Sequence, residues 1–346
     1  LIIKILYYLT MKNISFFLTV CLFLSIKGFG QTNDFYDDAE THQLTAPSIE
    51  ISGEIANPGM VDFSKLPMRS VIVKEDQLKN GKDAFVGAYR YDGYSLYDIL
   101  NSCILQKKNE AEFPPIIDLY VEVENRAGEK VVFSWGEMYY PIHRHEILIA
   151  TQVARIVPSK TKELWDLPIE NKLVVASDLL TERNISNPVK ITVKSFKGKF
   201  NIVKGMSPMF AESFTVSDGD RYVETINKLS EQNTSYVFPT VFYGRGRGIH
   251  STTPFEGVML KQILAQHFPL TRENLQKGLF IITGKDGYHG AFTYSEVMNR
   301  NDQAEFLMVP MPQNQDGGAF RIFPAADFFS DRAINSVESI RFELIK

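Results

Sequence analysis

Residues 243–251 read YGRGRGIHS and place Tyr243, Arg245, Arg247, His250 and Ser251 within nine positions. Alternating glycine and arginine lets backbone amides approach a bound group closely, while two guanidiniums offer forked contacts to phosphate or carboxylate. His250 adds a ring donor, and Thr252 and Thr253 follow Ser251 with further hydroxyls. The chemistry this pattern supports is binding of a small anion. The same residues also fit a solvated, glycine-rich hairpin tip whose arginines pair with carboxylates of the first half of the chain.

Other constellations are weaker. His143 and His145 would face the same way on a strand, and Glu146 could orient one imidazole. A metal site needs a third protein ligand, and nothing near them in sequence supplies one. Asp178 with Arg183 recurs as Asp327 with Arg332 at the same spacing. A repeated acid–base pair could be catalytic, but its symmetry predicts a structural ion pair before a closing strand. Glu137 and Glu296 read as polar ends of strands that lead into helices. Trp135, Tyr139, Tyr140 and Trp165 either pack a core or face a ligand. The chain has no phosphate loop, GxSxG elbow or HExxH, and no CxxCH for haem attachment.

The elements that must position these residues occur twice. Gly93, Leu96, Ile99 and Leu100 recur as Gly257, Leu260, Ile263 and Leu264. Gly128, Phe133, Ser134 and Glu137 recur as Gly287, Phe292, Thr293 and Glu296. Asp178, Arg183, Ile185 and Ile191 recur as Asp327, Arg332, Ile334 and Ile340. The offsets of 164, 159 and 149 residues shrink along the chain, as when loops are trimmed between fixed elements. The expected organisation is a flexible lead-in at 31–48, a first domain at 49–196 and a second at 197–346. Alternating apolar runs such as IEIS, LYVEVEN and KLVVAS predict strands, and Leu96, Ile99, Leu100 and Cys103 predict a short helix. The expected class is therefore mixed α+β, strand-rich, with single short helices between strand groups. Gly93, Gly257, Gly128 and Gly287 are expected to adopt backbone angles suited to glycine.

Composition agrees with a globular chain: 346 residues, 44% apolar, 23% charged, net charge −4. That charge argues against a nucleic-acid-binding surface, which needs a basic field. Residues 1–30 read as a signal peptide, with Met11-Lys12-Asn13 before a thirteen-residue apolar stretch, Ile14 to Ile26, and small residues before Gln31. Residues 1–10 read as lying upstream of the true start. The expected location is periplasmic or secreted, with no membrane span after cleavage. Without the leader only Cys103 remains, which excludes an intramolecular disulfide and a cysteine-based zinc site.

The repeated blocks resemble the molybdopterin-binding domain of the sulfite oxidase family. The resemblance is carried by ISGEIANPG, with Gly53 and Pro58; by Tyr91 and Phe255, which precede the Gly93 and Gly257 blocks; by Phe133-Ser134 with Glu137 and Phe292-Thr293 with Glu296; and by LPIENKLVVASD and GAFRIFPAAD. It implies two tandem sulfite-oxidase-like domains and an oxidoreductase-like protein that holds molybdopterin. It also places Tyr243, Arg245, Arg247, His250 and Ser251 on the cofactor-facing loop. The family's molybdenum-ligating cysteine is absent from both copies, and no nearby Ser, Tyr or His replaces a soft thiolate. Two functions are therefore expected as alternatives. One is an exported molybdopterin-binding protein acting on a small anion or oxidised sulfur species. The other is a non-catalytic module outside the cytoplasm that binds an anionic ligand or a partner protein.

Overall fold

The computed structural model describes residues 39–158, 160–246, 248–303, 305–311 and 317–346; the signal-peptide reading and Arg247 lie outside them. Residues 39–346 form one compact unit. In the first half the strands are β1 (Thr41–Gln43), β2 (Glu50–Gly53), β3 (Gly59–Met60), β4 (Met68–Lys79), β5 (Lys82–Ser95) and β6 (Leu119–Asn125). They continue with β7 (Lys130–Ser134), β8 (Ile147–Arg155), β9 (Lys172–Val175), β10 (Ile185–Ser186) and β11 (Pro188–Ser195). The second half begins with β12 (Phe214–Asp218), β13 (Arg221–Ile226), β14 (Ser235–Phe238), β15 (Phe242–Gly244), β16 (Gly248–Ser251) and β17 (Phe255–Met259). It ends with β18 (Gly278–Gly284), β19 (His289–Thr293), β20 (Phe306–Pro310), β21 (Phe320–Pro324) and β22 (Val337–Leu344).

Sheet order repeats between the halves. The first half has sheets β10-β9-β8-β5-β4, with β1 added on β8, and β3-β2-β11-β6-β7. The second half has β21-β20-β17-β14 and β13-β12-β22-β18-β19, plus the small hairpin β15-β16. The parallel pair falls in the same place each time, β2 with β11 and β12 with β22. The four principal sheets take a four-bladed β-propeller arrangement. This corrects the expected α+β class and, with it, the pair of sulfite-oxidase-like domains. Strand makes up 44% of the structure and helix 11%, and the helices form no layer of their own.

The correction has a local cause. The helical spacing in each half lasts a single turn. The helices are α1 (Leu96–Leu100), α2 (Trp135–Tyr139), α3 (Leu260–Leu264), α4 (Arg272–Lys277) and α5 (Tyr294–Met298), each five or six residues long. α1 follows β5 without a break and α3 follows β17, so both act as strand ends that turn inward. Their Leu and Ile side chains join cores built mainly from strand residues. The glycines that lead into them are also explained differently. A Cβ on Gly93 would collide with the backbone of Ile149 and Ala150 in β8, and one on Gly257 with Met308 in β20. Close strand approach requires glycine there, whereas Gly128 and Gly287 do take the expected left-handed angles, φ 83° and 78°.

The recurring Ser/Thr-x-x-Glu and Asp-x4-Arg motifs meet between the halves. Ser134 and Thr293 each cap their own helix in a capping box, Ser134 with Glu137 and Thr293 with Glu296. Each hydroxyl then donates across the pseudo-dyad: Ser134 Oγ to Glu296 Oε1 at 2.6 Å, Thr293 Oγ1 to Glu137 Oε1 at 3.2 Å. Arg183 forks onto Asp178 at 2.7 and 2.8 Å and reaches Glu137 at 3.0 Å. Arg332 does the same with Asp327 and Glu296, all at 2.8 Å. Both arginines are buried, at 1% and 0% exposure. Burial pushes the Glu137 carboxyl up against the pull of Arg183, and the neighbouring Glu296 and Asp178 charges add to the rise.

Arg332→Met leaves two buried carboxylates without their partner and is expected to cost about 3–5 kcal/mol in chemical denaturation. Glu137→Gln imitates the protonated acid that burial favours and is expected to cost much less at neutral pH. Equal stability of Arg332→Met and the parent would show that this network does not hold the halves together.

Candidate functional site

The glycine–arginine segment forms the β15-β16 hairpin, and its tip is occupied by protein. Arg245 is the turn residue, and its guanidinium pairs with Asp331 at 2.7 Å in the second half itself. Asp331 is the first contributor to the upward shift of Arg245. The Arg245 guanidinium also lies 6.0 Å from the rings of Tyr140 and Phe329. Tyr243 packs toward Phe328 and Phe329. His250 is exposed and lies over Gly244, where a Cβ would collide with its ring. Ser251 Oγ accepts from the Thr253 amide at 3.0 Å. Tyr243, Arg245, His250 and Ser251 line none of four prominent cavities among the described residues. In the first half the equivalent position, between β4 and β5, is the tight turn at Asn80-Gly81, so both copies place a hairpin tip here.

The histidine pair does not converge either. Residues 142–146 are not in a strand; His143 is exposed, and His145 Nδ1 sits 3.0 Å from Ser95 Oγ and 3.5 Å from Asp98. Among the described residues no group of three or more His, Cys, Asp or Glu is arranged to hold a metal ion. Trp135 is buried and stacks on Tyr139 at 4.5 Å, while Trp165 meets Phe85 edge-on. Cys103 is half-buried.

A cavity of about 420 Å³ lies instead where the chain crosses from the first half to the second. Its volume is within the range of small-molecule sites, roughly 300–1,000 Å³. The crossing segment is FKGKF, residues 196–200. It is tied to the first half by the Phe196 amide, which donates to Asp118 O at 3.1 Å. Further on, the Val203 amide donates to Asp286 O at 2.8 Å in the second half. Gly198 lets the segment fold onto itself, because a Cβ there would run into Phe196 and Phe200. Lys197 and Lys199 are exposed at the rim together with Lys108. Phe113, Phe196 and Phe200 supply apolar walls.

Behind the cavity wall lies a buried polar cluster. His289, 1% exposed, begins β19 from the second half and is stacked between Phe113 at 3.9 Å and Phe200 at 3.6 Å. Its Nδ1 lies 2.8 Å from the Gly287 carbonyl, which can only accept, so Nδ1 carries the proton. Nε2 then carries a buried lone pair, without a hydrogen-bond partner among the described residues. Asp118, fully buried one residue before β6, lies 3.9 Å from Nε2 and pairs with Lys107 at 2.7 Å. The Lys107 ammonium also donates to the carbonyls of Phe113 and Pro115. Asn109 donates its amide to Asp118 at 2.8 Å, which fixes its orientation and leaves its own Oδ1 buried without a donor. Glu54 is satisfied by Ser195 and the Lys108 amide.

Sequence reasoning passed over this site because its residues come from four separated places, 54, 107–118, 195–202 and 289. The one local signal was the FKGKF palindrome at the junction of the repeats. No family model matches the chain, and no curated protein matches it. With the fold corrected and no such match, the molybdopterin-binding and oxidoreductase expectations lose the resemblance on which they rested.

Burial lowers the His289 imidazole to about 4, and the nearby Lys107 charge acts in the same direction. An unfolded imidazole takes its proton near pH 6.5, so between pH 6.5 and 4 the unfolded chain binds more protons and the fold loses stability as pH falls. The charged groups near the ring are Lys107 and Asp118, and across this window the full effect reaches about 3 kcal/mol. Urea midpoints of the parent are expected to fall through this range relative to those of His289→Phe. Parallel pH profiles for the two proteins would contradict the buried neutral imidazole.

Proposed function

We propose that this chain is a non-catalytic binding module that takes a small organic anion in the cleft between its two halves. Support comes chiefly from the three exposed lysines, Lys108, Lys197 and Lys199, around a cavity walled by phenylalanine. No ion pair or hydrogen bond of these ammonium groups is found among the described residues. Lysine at a rim attracts anions over the length of the local field, and apolar walls reward a ligand with a hydrophobic body. Nothing in the cleft forms the acid–base–nucleophile geometry of a reaction centre, and His289 is neutral and walled by rings. The basic-then-apolar run through Ile26 supports export, and with it binding outside the cytoplasm.

The test is thermal denaturation of the purified protein with benzoate, citrate and inorganic phosphate at millimolar concentrations. At a hundred times its dissociation constant a ligand stabilises the fold by about 2.7 kcal/mol. A rise in melting temperature is expected with benzoate, and its loss in Lys197→Ala/Lys199→Ala, whose exposed side chains contribute little to stability. The reading fails if no anion moves the melting temperature, or if the double variant responds as the parent does.

A further inference from the structure

The segment that crosses between the halves is weakly tethered. Its backbone is tied at Phe196, to the Asp118 carbonyl, and at Val203, to the Asp286 carbonyl. Between these ties residues 197–202 make no backbone hydrogen bond among the described residues. The far end is also fixed by close packing, since a Cβ on Gly287 would collide with the Asn201 carbonyl. The middle is held by Phe200, a half-buried ring that stacks on His289 at 3.6 Å with the planes 12° apart. A stretch with so few backbone hydrogen bonds opens at the low end of a protein's stability range.

Cavities lie against this segment on two sides. The cavity of about 420 Å³ and another of about 370 Å³ share Lys199 and Phe200 in their walls. Of the rim lysines, Lys197 and Lys199 ride on the segment, whereas Lys108 belongs to the body of the first half. We infer that residues 197–200 form a strap, latched by Phe200 against His289, that swings out to join the two cavities and is drawn shut when an anion bridges Lys108 to Lys197 and Lys199. Closure rests on the anion-binding reading above; opening does not. A ligand gripped by lysines on both sides of the gap binds the closed form better than the open one, and that difference in affinity shifts the strap.

Limited trypsin digestion of the intact protein tests both parts, because a protease cuts a native chain in proportion to the population of its opened form. Cleavage after Lys197 and Lys199 is followed by mass spectrometry. Cleavage after Lys190 and Lys194, in the doubly paired strand β11, serves as the control for global unfolding. The strap is expected to be cut first. Phe200→Ala should speed that cut about tenfold, the effect of losing one aromatic stack, and leave the β11 cuts slow. Gly198→Ala offers a second variant, since its Cβ would press on Phe200 at 2.7 Å and loosen the latch with every apolar wall kept. Millimolar benzoate should slow the strap cut in the parent, relative to β11, but not in Lys108→Ala, which keeps both cleavage sites. Strap cleavage that neither Phe200→Ala nor Gly198→Ala accelerates relative to β11 would overturn the latch. Benzoate that raises the melting temperature without slowing the cut would overturn closure and leave anion binding standing. Benzoate without effect in either measurement would remove anion binding and closure together, and leave the opening.

Discussion

Two arginines buried between the halves of this chain impose the constraint on which the rest depends. Arg183 and Arg332 each face two carboxylates where water cannot reach, and each glutamate among them accepts a hydroxyl from the opposite half. Desolvating such groups costs several kcal/mol per ion, and only near-complete pairing offsets it. Separating the halves would expose some of these charges and strip others of the hydroxyls that orient them. The two sets of sheets are thus joined by a polar lock as well as by apolar contact. The apolar part includes Tyr120 from β6 with Leu279, Ile281 and Ala291 from β18 and β19.

That lock determines where a ligand site can form. Near the pseudo-dyad every equivalent position is taken by its symmetry mate, and the cavity beside Glu137 and Arg183 is only about 20 Å³, the size of a single water. The connecting segment between the halves has no symmetry partner. It must cross from the end of β11 toward β12, and in crossing it leaves the larger cavity between FKGKF, the 107–118 loop and the start of β19. Sites at junctions between repeated units are common because the repeat fixes the walls and leaves the connection free to vary.

The sequence made the duplication legible because the matched residues carry physical necessity. Gly93 and Gly257 permit close strand contact, Ser134 and Thr293 cap, and Arg183 and Arg332 neutralise buried acid. The repeated Asp–Arg spacing was expected to be a structural ion pair, and the geometry has that form. The architecture was misjudged in the weight given to short helices: the one expected from Leu96, Ile99 and Leu100 is a single turn at the end of a fourteen-residue strand, not a layer of its own. The candidate site residues were chosen by composition. YGRGRGIHS has the residue types of an anion site, but a glycine-rich tip between two strands projects outward, and Asp331 is close enough to claim its arginine.

Structural equivalence also explains why the cleft could be missed by searching for what the copies share. β7 and β19 occupy the same place in their sheets, so the first-half counterpart of His289 is Lys130, which points to Glu124 at 3.8 Å near the surface. The counterpart of Asp118, one residue before β6, is Lys277, one residue before β18. At both positions the copies diverge in charge and chemistry while the strands around them stay in register. A fold built by doubling keeps alike the residues that hold it together, since each copy faces the same packing problem. Differences at equivalent, well-ordered positions face no such demand, and a buried histidine without a donor is costly to keep for packing alone. The asymmetric residues of this chain, more than the repeated ones, therefore mark where the two copies have been free to differ.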